Sequence, residues 1–207
     1  MAGIGSRLRP HTLTVPKPLV PVAGKAIVQR LVEDIAKVVN EPLEEIAFVI
    51  GPNEQFFGKE VQKNLLEVAA KLGAKGSINI QEEALGTAHA IYMAKQALTG
   101  NVIVAFADTL FRADFVLDAS VDGTVWVKEV EDPRAFGVVQ LDAYGIIEDF
   151  VEKPENPQSN LAIIGIYYFK DGARLKQELQ YLIDNAVIKS GEYQLPDALR
   201  RLTEAGV

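Results

Sequence analysis

The chain has 207 residues, enough for one domain with a sizeable core. With no cysteine and two histidines, it excludes disulfides and thiolate metal sites and argues against a histidine zinc site. The net charge of −7 argues against broad nucleic-acid binding, though it does not exclude a local basic pocket.

Ile27, Val28, Leu31, Val32, Ile35 and Val38 recur at helical spacing and predict an amphipathic helix over about residues 25–39. The apolar run Ile46–Ile50, stopped by Gly51-Pro52-Asn53, reads as a buried parallel strand. Phe57, Val61, Leu65, Val68 and Leu72 mark a second helix closed by Gly73. A strand over 77–81, a helix over about 87–98 and a buried strand over 102–107 follow. The alternation of strand and helix implies a parallel sheet covered by helices. The pattern then shifts to short strands at 124–130, 137–141, 146–151 and 162–169, with Ala143-Tyr144-Gly145 as a hairpin turn. Helices at about 172–187 and 194–205 close the chain. The expected fold is α/β: a Rossmann-like, mainly parallel sheet flanked by helices, with antiparallel strands inserted in the second half. Residues 1–207 form one domain in this reading, with no repeat, linker or low-complexity segment. No apolar run approaches membrane-spanning length and no signal peptide opens the chain, so we expect a cytoplasmic protein away from membranes.

Several segments carry residues suited to phosphate chemistry. Gly3 and Gly5 permit close backbone approach to a phosphate, and their amides can face its oxygens. Arg7 follows at once, and Lys17 is fixed between Pro16 and Pro18. Two cations on stiff backbone beside a glycine loop are what a triphosphate needs. Gln81 and Gly86-Thr87 lie between a strand and a helix. An amide such as Gln81 can pair with the N3–H and O4 of a pyrimidine or with N6 and N7 of adenine. Taken alone, this stretch is an ordinary polar loop. Asp108 lies just past a buried strand, where a carboxylate can hold Mg²⁺ together with phosphate oxygens or simply cap a turn. Glu152-Lys153-Pro154 ends another strand, placing a hydroxyl acceptor next to a phosphate-neutralising cation. By itself this is an exposed ion pair before a turn.

The opening, Gly3-Ile-Gly5-Ser6-Arg7-Leu-Arg-Pro10 followed by Pro16-Lys17-Pro18-Leu-Val-Pro21-Val-Ala-Gly24-Lys25, resembles the signature of the sugar-phosphate nucleotidyltransferases, which include the glucose-1-phosphate thymidylyltransferases. Ala26 stands where that family usually has Pro. Four later segments resemble its other motifs in the same order: Gln81–Ala90, the strand ending at Asp108, Phe136-Gly137-Val-Val139 with Glu152-Lys153-Pro154, and Glu192–Asp197. Phe136 replaces the usual Tyr, and Pro196 the usual Thr. The resemblance implies transfer of a nucleotidyl group from a nucleoside triphosphate to a sugar 1-phosphate, with release of pyrophosphate. In that frame Ala2, Gly3, Gly5, Ser6, Gln81, Gly86 and Thr87 bind the nucleotide, and Arg7 and Lys17 act on the triphosphate. Gly137, Glu152 and Lys153 bind the sugar phosphate, and Asp108 and Asp197 hold Mg²⁺, converging within one ion's reach.

The substrates expected are dTTP or UTP with glucose 1-phosphate, and GTP with mannose 1-phosphate is the runner-up. No nucleic-acid or membrane partner is expected, and a homo-oligomer is left open. A non-catalytic module of the same fold would keep the motifs without turnover, but every charged position of the chemistry is present. A dinucleotide-binding oxidoreductase lacks its third glycine and its acidic ribose contact here, and no P-loop motif occurs. A phosphate loop of this kind normally follows a buried strand. We therefore expect a native apolar strand upstream of Ala2; the resemblance further implies a C-terminal extension beyond Val207, since that family usually continues past this point.

Overall fold

The computed structural model describes residues 15–111 and 115–206. The loop residues Ala2, Gly3, Gly5, Ser6 and Arg7 lie outside the described residues. Contacts gather the chain into two compact units. The first holds the described residues up to Ala84, with Met93–Ala97 and Phe106–Asp118. The second holds Leu85–Tyr92, Leu98–Ala105 and the chain from Ala119 on.

In the first unit a single 3-10 turn, Lys17–Leu19, leads into a small hairpin of β1 (Pro21–Val22) and β2 (Lys25–Ala26). Helix α1 (Ile27–Val39) follows, and the six periodic apolar residues named from the sequence are all buried. Each such side chain contributes about 1.5–3 kcal/mol on burial, so this stripe dominates the energetics of the helix. Asn40 ends it in the left-handed region (φ 54°), which asparagine tolerates better than most residues. Strands β3 (Glu45–Ile50) and β4 (Lys75–Ile80) pair in parallel, register Glu45 opposite Lys75. Between them the single helix expected from residue 57 onward is two: α2 (Glu54–Phe57) and α3 (Lys59–Lys71). The break falls at Gly58, where the backbone is extended and a β-carbon would lie 2.8 Å from the Glu54 carbonyl oxygen.

The second unit contains all but the last residue of α4 (Thr87–Met93), and β5 (Val102–Ala105), β6 (Gly123–Glu129), β7 (Gly137–Leu141), β8 (Ile147–Glu152), β9 (Leu161–Phe169), α5 (Gly172–Asp184) and α6 (Leu195–Glu204). α4 is shorter than expected, turning after Met93. The nine-residue apolar β9 organises the sheet. It pairs antiparallel with β6 along one side, and with β7 and β5 on the other; β8 pairs outside β7. The hairpin turn after β7 closes through the Gly145 amide donating to the Asp142 carbonyl at 3.1 Å. Helices α5 and α6 bury Leu175, Leu179, Leu182, Leu195, Leu199 and Leu202. The α/β architecture agrees with the sequence reading. Among the described residues its parallel part is β3–β4, and β5 runs antiparallel to β9.

Candidate functional site

Lys17 and Asp108 are 91 positions apart in sequence and meet in the first unit, Nζ to Oδ2 at 3.2 Å. Pro16 and Pro18 fix the backbone under Lys17, and Pro18 is buried. The Asp108 side chain is 57% exposed. A pair this open contributes at most about 1 kcal/mol, so an arriving phosphate can part it at little cost. Gln81 directly follows β4, is buried, and donates its backbone amide to the Ile50 carbonyl at 2.8 Å.

In the second unit, Gly137 and Glu152 face each other across β7 and β8. A β-carbon on Gly137 would lie 2.9 Å from Glu152 Oε2 and 3.5 Å from Ile163 Cδ1. The missing side chain is therefore what lets the Glu152 carboxylate lie over the start of β7. Lys153 follows in the left-handed region (φ 44°), an unfavourable conformation for a lysine. It is held there by its own amide, which donates to the Phe136 carbonyl at 3.0 Å. Such strain costs about 1–3 kcal/mol and tends to collect at ligand-binding positions. The Lys153 ammonium is 3.6 Å from Glu152 Oε1, and both side chains are well exposed. On β9, burial and then the Glu152 carboxylate push the Tyr167 phenol well above its usual range, so it stays protonated.

Gly86 has φ 102°, and a β-carbon there would lie 2.5 Å from the Tyr193 carbonyl oxygen and 2.9 Å from its nitrogen. Tyr193 donates to the Leu85 carbonyl and accepts from the Ala88 amide. Thr87 Oγ1 then accepts from the Leu195 amide at 3.0 Å, a cap for α6 where Gln194 supplies none. Gly86 and Thr87 thus hold the start of the helix that carries Asp197.

Asp197 is only 7% exposed. Its Oδ1 accepts from the Lys189 ammonium and from Arg200 Nη1, the latter at 3.0 Å. Its Oδ2 is sealed from solvent and has no hydrogen-bond partner among the described residues. Arg200 also binds Asp149 Oδ1 at 3.0 Å and the Phe150 carbonyl, tying α6 to β8. Lys189, Arg200, Asp149 and Tyr167 were not singled out from sequence. Arg200 alone left a signal, lying three positions after Asp197 on one helix face.

Among the described residues no three His, Cys, Asp or Glu side chains gather as a metal cage. Mg²⁺ needs only one or two carboxylates besides phosphate oxygens. In the first unit Asp108 offers an open carboxylate, and in the second Asp197 offers a buried one whose Oδ2 has no hydrogen-bond partner among the described residues while Lys189 and Arg200 both sit on Oδ1.

A family model described as "Nucleotidyl transferase" matches residues 1–206. The bifunctional protein GlmU of Methanococcus vannielii is 31% identical, over 99% of this chain and 46% of its own length. The low-salt glycan biosynthesis nucleotidyltransferase Agl11 of Haloferax volcanii is 32% identical, over 99% of this chain and 56% of its own. The chain thus spans about half the length of these curated relatives. Among solved structures, a UDP-glucose pyrophosphorylase complexed with UDP-glucose superposes with a TM-score of 0.75 at 26% identity, covering 99% of this chain and 84% of that one. No helix among the described residues is long and apolar enough to cross a membrane.

Proposed function

Because the chain belongs to the nucleotidyl transferase family, we propose that it joins a nucleoside triphosphate to a sugar 1-phosphate, giving an NDP-sugar and pyrophosphate. Residues 1–207 act as one catalytic domain in this reading. The arrangement of Gly137, Glu152 and Lys153 carries the proposal. A bare backbone, a carboxylate to accept sugar hydroxyls and a cation to neutralise a phosphate lie together where β7 starts and β8 ends.

A sugar 1-phosphate oxygen attacks the α-phosphorus of the triphosphate. The new O–P bond forms as the bond to the β-phosphate oxygen breaks, and pyrophosphate leaves with that electron pair. The attacking oxygen is already charged at neutral pH, so no protein nucleophile or base is required. What the chain must supply is position and charge. Lys153 neutralises the sugar phosphate, and Glu152 orients the sugar through its hydroxyls. Lys17, with Arg7, neutralises the triphosphate, and Ala2, Gly3, Gly5 and Ser6 line it. Gln81 reads the base, with Gly86 and Thr87 shaping that segment. Asp108 and Asp197 would hold Mg²⁺, which when bound supplies positive charge to the reacting phosphates.

UTP or dTTP with glucose 1-phosphate is the pair we assign. Its support is the amide at Gln81 and the likeness to a UDP-glucose pyrophosphorylase. A pyrophosphate-release screen of several triphosphates against several sugar 1-phosphates tests it. Release is expected with UTP or dTTP and glucose 1-phosphate. Turnover confined to GTP and mannose 1-phosphate would replace the substrate assignment. Nucleotide binding with no release from any pair would show a binding module.

A further inference from the structure

The carboxylate of Asp197 lies between two cations that are held in different ways. Arg200 is anchored three times, by Asp197 Oδ1, Asp149 Oδ1 and the Phe150 carbonyl. Lys189 has one anchor, Asp197 Oδ1, and its side chain is 53% exposed. It opens a tight two-residue turn, with Ser190 and Gly191 both left-handed (φ 52° and 82°) and the Lys189 and Glu192 backbones bonded to each other in both directions at 3.0 Å. The turn fixes the backbone while the long side chain remains free to swing away. Asp197 therefore keeps one permanent counter-ion and one replaceable counter-ion.

A divalent cation on either oxygen of this one carboxylate would lie close to the Lys189 ammonium, and like charges so near repel strongly; Lys189 can move away, whereas Arg200 is also held by Asp149 and the Phe150 carbonyl. We propose that Lys189 is the resident counter-ion of Asp197 and that a hard divalent cation must displace it to bind there. This rests on the reading of Asp197 as a carboxylate that holds Mg²⁺. Lys189 thereby keeps a buried anion neutralised in the free protein and holds its metal affinity low. The metal gains its place when a triphosphate adds its own oxygens. The first unit shows a comparable arrangement, with Lys17 on Asp108.

The test is a titration of the protein with Mn²⁺ alone, free Mn²⁺ being read by electron paramagnetic resonance. Lys189→Met removes the charge and keeps the chain length; Lys189→Gln is a second variant should the first fail to fold. Either variant is expected to bind Mn²⁺ at least about tenfold more tightly than the unaltered protein, because a competitor has gone. Adding Asp197→Asn should abolish that gain. If the Lys189 variants bind equally or more weakly while Asp197→Asn alone weakens Mn²⁺ binding, the exchange is overturned and Asp197 remains a metal ligand. If Asp197→Asn changes Mn²⁺ binding in neither background, the metal reading of Asp197 falls and the exchange falls with it.

Discussion

Replacing Gly86 by alanine separates two costs that the structure places at one residue. The first is conformational: φ of 102° is unfavourable for any L side chain, at about 1–2 kcal/mol. The second is steric. The new β-carbon would lie 2.5 Å from the Tyr193 carbonyl oxygen and 2.9 Å from its nitrogen. These are backbone atoms, fixed by hydrogen bonds to Leu85 and Ala88, so they cannot swing aside as a side-chain end would. Overpacking of this kind costs about 1–3 kcal/mol. The sum is about 2–5 kcal/mol, which lowers Tm by roughly 10 °C in a chain of this size. Gly145→Ala is the control, since Gly145 has φ 81° in the same unit and no atom within 4 Å of the place a β-carbon would take. It bears the conformational cost alone, a loss of about 4 °C. Differential scanning calorimetry of the two variants reads the difference. Equal losses would refute the reasoning, because the contact with Tyr193 would then contribute nothing.

Lys17→Ala is expected to lower turnover roughly a hundredfold or more, the size of comparable electrostatic deletions, in a steady-state pyrophosphate assay. Near-normal turnover would leave Lys17 a structural loop residue. Lys153→Ala should raise KM for the sugar 1-phosphate much more than KM for the triphosphate; equal effects would contradict the division of labour between Lys17 and Lys153. The Ser77 hydroxyl, 2.6 Å from Glu45 Oε1, and then Lys75 hold the Glu45 carboxyl below its usual value of 4.5. A folded pKa that is depressed adds stability above the unfolded value and loses it as pH falls through the folded one. The stability advantage of the unaltered protein over Ser77→Ala should therefore be full above about pH 4.5 and shrink below it, as read by urea denaturation. An advantage that stays constant down to about pH 2 would exclude the Glu45 hydrogen bond as its source.

Local physics made much of this protein legible from its sequence. The stripe on α1 follows from a period of about 3.6 residues, and the unbroken apolar run of β9 from burial on both faces. The turn at residues 143–145 follows from a glycine with positive φ. The grouping of Gly137 with Glu152 was also accessible, because two short strands joined by a tight turn must pair. Family membership was carried by motif order along the chain. Other features depend on partners distant in sequence. The break at Gly58 reflects a close approach to Glu54 that apolar spacing does not encode. The direction of β5 is set by β9, far later in the chain. Gly86 reads as a loop glycine until the Tyr193 backbone is seen against it. Asp197 reads as a helix-start carboxylate, and only the folded chain brings Lys189 and Arg200 to the same oxygen. Propensity and period act between neighbours in sequence, whereas an anion's choice of counter-ion is made in space, where an exposed lysine and an anchored arginine compete for one buried charge.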